Sequence, residues 1–184
     1  MINCKSCGQN IITAEPISDS CIRLRIADVG DKECGMSRYG IYEKLQTPEF
    51  SSEEKGEKTV ITVKNARLEV GSDGSFTFSD ASGKPLISSA GIEKQRGGFD
   101  ARISYRDGAK IYGLGDATRR RIEKTGFATE IWVRNIRCYI PVSFIHSRDG
   151  WGLLLNSTWR HMVDIGASEK DIMRIVARGG AFDV

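Results

Sequence analysis

The residues nearest the start of the chain that could do chemistry are Cys4 and Cys7, in a Cys-x-x-Cys arrangement. Two thiolates at this spacing can bind one zinc ion, and a structural zinc site needs four ligands. The other nearby cysteines, Cys21 and Cys34, are twelve residues apart, and both histidines lie far along the chain. An odd count of five cysteines without framework spacing is typical of reduced thiols. The sequence therefore favours a loose N-terminal segment over a metal site.

A second candidate is the stretch Tyr112–Asp116, whose sequence is YGLGD. Paired glycines can surround a phosphate group, but this stretch lacks the third glycine of G-x-G-x-x-G. No pattern typical of a crossover helix follows it. The favoured interpretation is the end of a strand where glycines permit close backbone approach.

The only basic cluster consists of Arg119, Arg120, Arg121 and Lys124. A nucleic-acid site would need a larger basic surface, with aromatic side chains to stack on bases. Nearby acidic residues dilute the charge, and a solvated loop is predicted instead. Neither nucleic acid nor a membrane is expected as a partner.

Bulk composition indicates one soluble domain. The chain has 184 residues, 40% of them hydrophobic and 28% charged, with a net charge of +3. This length is sufficient for one sizeable core. No apolar run approaches the roughly 20 residues that cross a bilayer, and the start lacks the pattern of a secretion signal. A cytoplasmic location is expected.

Alternation of apolar and polar residues predicts strands that are buried on one face. Two later runs, Ile140–Ile145 and Trp151–Leu155, are more continuously apolar, which predicts strands covered on both faces. The alternating apolar positions are Ile22, Leu24 and Ile26, then Val60 and Val63, Leu68 and Val70, Phe76 and Phe78, and Ala101, Ile103 and Tyr105.

Short polar links that contain glycine separate these runs, at 72–75, 81–84, 106–109 and 148–150. Many short strands joined by such turns predict an all-β fold, an antiparallel β-sandwich over residues 21–184. Residues 1–20 are expected to form an extra strand or a tail. The polar stretch at 46–58 is predicted to be a solvated loop.

Four segments carry a resemblance to a known family: Ile111–Asp116, Trp132–Asn135, Gly152–Ser157 and Gly179–Asp183. In this order and at roughly this spacing they resemble the N-terminal β-sandwich domain of glycoside hydrolase family 31, the α-glucosidase and α-xylosidase family. The resemblance implies a galactose-mutarotase-like sandwich. It also implies that this domain packs on a catalytic barrel and requires no metal or organic cofactor.

The resemblance places substrate contact at Trp132 and Asn135. In the family, an Asp of a similar run hydrogen-bonds the sugar, and Asn135 stands at the matching position. An amide both donates and accepts, whereas an ionised Asp only accepts; sugar contact is therefore expected to persist with an altered hydroxyl preference. An alternative is that Trp132 packs in the core and Asn135 caps a turn. A further departure is Asp116, where the family usually has Glu.

The catalytic residues are expected elsewhere. A retaining glycosidase needs two carboxyl groups about 5 Å apart, and the family carries both on a (β/α)₈ barrel of at least about 200 residues. This chain alone is therefore expected to be inactive, and the full-length enzyme to hydrolyse α-glucosides or α-xylosides. No catalytic context surrounds Asp116, Glu130, Asp149, Asp164 or Asp183.

Other interpretations remain open. The chain could be a stand-alone carbohydrate-binding module, a structural or protein-binding sandwich, or a mutarotase. A mutarotase needs a positioned acid and base, and neither His146 nor His161 has an obvious partner. Trp151 and Trp159 could stack on sugar rings, although aromatic residues of a sandwich are more often core. Without its barrel, the domain is expected to self-associate through the exposed barrel-facing surface.

Overall fold

A computed structural model describes residues 1–6, 10–32, 39–40, 46–95, 97–116, 121–132 and 140–184. This part of the chain contains no helix, and therefore none that could cross a membrane. Its sixteen strands are β1 (Ile2–Asn3), β2 (Asn10–Ser18), β3 (Cys21–Asp28), β4 (Phe50–Lys55), β5 (Lys58–Val63), β6 (Ala66–Gly71), β7 (Phe76–Asp80), β8 (Pro85–Gln95), β9 (Gly98–Tyr105), β10 (Ile111–Asp116), β11 (Phe127–Ile131), β12 (Ile140–Ser147), β13 (Trp151–Leu154), β14 (His161–Ile165), β15 (Ile172–Ala177) and β16 (Phe182–Asp183).

The strands form three antiparallel sheets. One has nine strands in the order β11-β14-β15-β9-β8-β7-β6-β5-β4, one has four in the order β1-β2-β3-β16, and one has three in the order β10-β12-β13. Strands β2 and β3 of the four-stranded sheet lie against β5 and β6, while β12 lies against β11. The predicted all-β sandwich is confirmed: the nine-stranded sheet is one layer, and the two smaller sheets make up the other.

The core lies between the layers and is built from the alternating apolar positions. In β3, Ile22, Leu24 and Ile26 are buried, and Ala101 and Ile103 of β9 are fully buried in the same cluster. Because side chains alternate between the faces of a strand, each such strand contributes every second residue to the core. The N-terminal segment joins this core, since β2 pairs with β3 along most of its length.

The hairpin between β6 and β7 illustrates how the predicted turns form. Asp73 accepts hydrogen bonds from the backbone N–H and the hydroxyl of Ser75, at 2.9 and 2.6 Å. These bonds hold the pKa of Asp73 below its ordinary value. Gly74 has a φ of +86°, a conformation that favours glycine.

The polar stretch at 46–58 is not a loop throughout, so this prediction was wrong. Residues Phe50–Lys55 form β4, the edge strand of the nine-stranded sheet, paired with β5 from Phe50↔Val63 to Lys55↔Lys58. Every residue of β4 is exposed. Backbone pairing requires no apolar pattern, and charged side chains on an edge strand oppose unwanted pairing with other chains.

The apolar runs at β12 and β13 are also not covered on both faces, contrary to the prediction. Ile145 and Leu153 point into the core, whereas Ile140, Val142, Phe144 and Leu154 are between 40 and 65% exposed. The three-stranded sheet therefore has an outer surface of large apolar side chains. We call these four residues the apolar face.

Candidate functional site

The glycines of strand β10 allow its backbone to pack closely against strand β12. Gly113 has a φ of +117°, and a Cβ atom placed there would lie 2.2 Å from the backbone oxygen of Phe144. Gly115 has the same constraint, 2.2 Å from the oxygen of Ile140, and the register with β12 shifts between the two glycines. The structure thus agrees with close backbone approach, which only glycine allows here.

Two of the four family-like segments meet at Asp183. Its carboxylate accepts a bidentate pair of hydrogen bonds from Arg23, with Nε–Oδ1 at 2.7 Å and Nη2–Oδ2 at 2.6 Å. The side-chain amide of Asn156 donates to the same carboxylate at 3.0 Å, and the backbone N–H of Asn156 donates to the Asp183 carbonyl at 2.8 Å. Asp183 is buried. Bidentate arginine–carboxylate pairs are strong and orientation-specific, so this cluster fixes β16 to β3 and to the segment after β13.

The predicted sugar-contact residues are only partly described. Trp132 follows the last residue of β11 and is 42% exposed, so it does not pack in the core. Asn135 lies outside the described residues. The structure thus places one of the two predicted contacts at the surface near the end of β11.

The basic cluster is also partly described. Arg119 and Arg120 lie outside the described residues, while Arg121 is exposed. Lys124 is buried, contrary to the predicted solvated loop, and its ammonium group donates to the carbonyl oxygen of Arg121 at 2.5 Å. Burial lowers the pKa of Lys124 because the charged form loses hydration.

Three acidic residues that the sequence offered as carboxylates, Glu130, Asp149 and Asp164, form local hydrogen bonds or ion pairs. Asp149 pairs with Arg106 at 2.6 Å, and this hydrogen bond holds the pKa of Asp149 below its ordinary value. Asp164 accepts from the backbone N–H of Ala167 at 2.7 Å and from a nearby serine hydroxyl. Glu130 pairs with Arg160. Each of these groups therefore has a direct role in a turn or an ion pair.

His161 is the most perturbed titratable group. Its ring is 1% exposed and lies 6.3 Å from the ring of Phe99 between centroids. Among the residues that the structure describes, neither ring nitrogen has a hydrogen-bond partner. Burial lowers its pKa to about 4, which keeps the ring neutral at neutral pH. A neutral histidine among apolar core residues contributes packing rather than charge.

The N-terminal cysteines are the residues for which the sequence raised a zinc site. Cys4 is buried and Cys7 is not described, and within the described ranges no group of three or more His, Cys, Asp or Glu could bind a metal ion. Desolvation raises the pKa of the Cys4 thiol above its ordinary value. A raised pKa disfavours the thiolate that metals require.

Three open cavities lie on the described surface. Two, of about 420 and 530 Å³, lie on the outer face of the nine-stranded sheet, where charged side chains form ion pairs such as Arg174–Asp100 at 2.5 Å. The third, of about 600 Å³, lies beside Asn156, Trp159 and Gly179. Arg178 borders both this cavity and one on the sheet face.

The third cavity is lined by Trp159, for which the sequence left open either stacking on a sugar ring or packing in the core. Trp151 is buried as expected, but Trp159 is 55% exposed. The available signal was the glycine pair Gly179-Gly180, because adjacent glycines allow an aromatic ring to lie on the backbone. Sequence separation of twenty residues hid this contact.

No family model matches the sequence, and no curated protein matches it. Solved structures do. A GH31 dextranase of Flavobacterium johnsoniae superimposes with a TM-score of 0.79 at 16% identity, over 98% of this chain and 25% of the enzyme. A GH31 α-xylosidase from a soil metagenome matches with a TM-score of 0.79 at 18% identity, over 95% of this chain and 29% of that one.

A GH31 α-xylosidase of Xanthomonas citri matches with a TM-score of 0.71 at 20% identity, over 87% of this chain and 18% of that enzyme. The chain therefore spans between about a fifth and a third of the length of these enzymes. The likeness extends over nearly all of the sandwich. The chain has the fold of one domain of glycoside hydrolase family 31 enzymes.

Proposed function

We propose that this chain is the non-catalytic sandwich domain of a retaining α-glycosidase. In the full-length protein it packs on a catalytic barrel that hydrolyses α-glucosides or α-xylosides. Support comes from the fold shared with a dextranase and two α-xylosidases, each several times longer than this chain.

The observation that carries the proposal is the apolar face. Phe144 and Leu154 are directly opposite each other in the pairing of β12 with β13, and Ile140 and Val142 continue the same side of β12. Phe144 also stacks with the His146 ring at a centroid distance of 5.7 Å. A contiguous exposed apolar surface on a soluble domain marks a place where another surface binds. The proposed occupant is the barrel.

The second part of the proposal concerns the segment that begins at Trp132. We assign Trp132 and Asn135 to the edge of the sugar site, where they contact the substrate bound in the barrel. The exposed indole of Trp132 supports this role, because it is available for contact with a ligand. The proposal leaves the two catalytic carboxylates to the barrel.

The first test is to read the source gene beyond the codon for Val184. A reading frame that continues into a (β/α)₈ barrel with a Trp-x-Asp nucleophile motif supports the proposal, and a stop codon there overturns it. The full-length protein is then assayed with nitrophenyl α-glucoside and α-xyloside.

Docking is tested in the full-length protein with Phe144→Asp and Leu154→Asp together. Charges buried at an interface carry a large desolvation cost, so activity and the thermal midpoint should both fall. The matched control is Met162→Asp, which changes a residue that is 47% exposed on the nine-stranded sheet. Equal effects from both changes would contradict docking through the apolar face.

Sugar contact is tested in the same protein with Trp132→Ala and Asn135→Ala. Loss of a contact that persists in the bound substrate should raise KM about tenfold with little change in kcat. An unchanged KM in both variants would remove this segment from the substrate site.

A further inference from the structure

The indole of Trp159 lies flat on a pair of glycines. A Cβ atom placed at Gly179 would lie 2.4, 2.5 and 2.6 Å from Cδ2, Cε3 and Cε2 of the indole. One placed at Gly180 would lie 2.9 Å from Cδ1 and 3.1 Å from Nε1. The two glycines thus lie beneath the two fused rings, and one whole face of the indole is in contact with backbone.

The other side of this indole is open. Trp159 is 55% exposed and borders the cavity of about 600 Å³, a volume within the range of small-molecule sites. Its backbone N–H donates to the hydroxyl of Ser157 at 3.2 Å, which helps to fix the residue in place. An aromatic ring that is already immobilised loses little conformational entropy when a ligand stacks on it.

Charge in the cavity is mostly matched. Arg25 donates to the carbonyl oxygens of Asp31 and Lys32 at 3.0 and 3.3 Å, and Asp183 is paired with Arg23. Arg178 is exposed and has no hydrogen bond or ion pair among the residues that the structure describes. The guanidinium group has five N–H donors, so Arg178 can donate to a ligand in this cavity.

A flat apolar ring beside free donors suits a sugar better than an anion. The face of an aromatic ring carries partial negative charge, which disfavours an anion above it and favours the C–H groups of a sugar ring. Sugar hydroxyls can then accept from Arg178. We infer that Trp159 and Arg178, in a cavity whose lining does not include Trp132, form a carbohydrate-binding site for a short α-glucan; the choice of an α-glucan rests on the proposed function.

The test is titration of the 184-residue chain with maltotriose and isomaltotriose, followed by ¹H–¹⁵N NMR of the three indole N–H groups. The Trp159 resonance should shift with saturation, more than those of Trp132 and Trp151. Trp159→Ala should weaken binding at least about tenfold, as is typical of a tryptophan at the centre of a binding site. Arg178→Ala should weaken it about threefold to tenfold through lost hydrogen bonds.

Matched controls separate the site from general surface effects. Phe50→Ala removes an aromatic residue that is 45% exposed on β4, at the opposite edge of the nine-stranded sheet from β11. Arg148→Ala removes an exposed arginine in the turn between β12 and β13. Both controls should leave the affinity unchanged.

The outcomes distinguish this inference from the proposed function. Binding that survives Trp159→Ala but is lost in Trp132→Ala overturns the inference and leaves the proposed function standing. The absence of any shift at the Trp159 indole in the unmodified chain also overturns it, whether or not the variants fold. Binding at Trp159 in a protein whose gene encodes no barrel would retain the site and overturn the proposed function.

Discussion

Around Asp183, every buried charge is matched by a partner within the chain, whereas on β12 and β13 four large apolar side chains remain in contact with water. Asp183 has Arg23 and Asn156 as hydrogen-bonding partners. The side chains of the apolar face project away from the core. Phe144 and Leu154 lie opposite each other on neighbouring strands, and both remain exposed. The first region is complete in this chain, and the second exposes the apolar area on which we propose that a barrel packs.

The largest expected effect comes from removing the carboxylate at the centre of the Asp183 cluster. Asp183→Ala leaves the largely buried guanidinium of Arg23 without its bidentate partner, and breaking such a pair costs about 3 to 5 kcal/mol in unfolding free energy. Urea denaturation measures the change. The control is Asp107→Ala, whose carboxylate forms an exposed ion pair with Lys170 at 2.8 Å and should leave the midpoint unchanged. Similar losses in both variants would mean that the Asp183 cluster is not special.

The next largest effect concerns protonation of the buried His161 at acidic pH. Since the pKa of His161 is about 4 in the folded state and about 6.5 in the unfolded state, its stabilising contribution is complete above pH 6.5 and is lost as the pH falls through 4. The shift corresponds to about 3 kcal/mol. Unfolding measured between pH 7 and pH 4 should show this loss, and His161→Phe should reduce it.

The control for this experiment is His146→Phe, on the exposed side of β12. This change leaves His161 in place, so the acid-dependent loss should persist. An identical pH dependence for His161→Phe and the unmodified chain would contradict the neutral, buried state of His161.

An intermediate effect concerns the strand that supports the apolar face. Gly113→Ala should destabilise the chain by about 2 to 3 kcal/mol, because the new Cβ meets the Phe144 oxygen and φ is positive. Gly150→Ala is the matched control: its φ is +93°, but no atom lies within 4 Å of the new Cβ. It should cost about 1 kcal/mol, from backbone strain alone. Thermal unfolding of both variants measures the difference, and equal losses would mean that β10 and β12 can separate.

The smallest effect on stability is expected at the apolar face itself. Phe144→Ser with Leu154→Ser should change the unfolding free energy by no more than about 0.5 kcal/mol, as is usual for exposed positions. Self-association of the isolated chain should nevertheless decrease, because the apolar area that drives it is smaller. Light scattering over a range of concentrations measures this. A monodisperse monomer before substitution would contradict self-association through this face.

Much of the fold could be predicted from local pattern. Alternation at Ile22, Leu24 and Ile26 predicted a half-buried strand, and the structure buries all three. The Asp73-Gly74 turn was predicted because its chemistry is contained within four residues. The edge strand β4 was missed because its pairing is made by backbone atoms, which leave no apolar signature in the sequence.

The candidate site was less predictable. Trp132 was identified through a resemblance and is exposed, while its predicted companion Asn135 lies outside the described residues. The sequence named Trp159 as a residue that could stack on sugar but did not separate it from the core residue Trp151, because the position of its ring depends on a glycine pair twenty residues away. Contacts of this kind depend on which strands become neighbours, and that information is not local.

The all-β class, the turns and the inward-facing half of most strands follow from local sequence, because side-chain alternation and turn chemistry operate over a few residues. Which faces are covered follows from how the sheets pack. The run Ile140–Ile145 carries apolar residues on both sides, yet Ile145 is buried and Ile140 is 65% exposed. The reason is physical: burial depends on what packs against a surface, and no strand specifies by itself what will lie across from it.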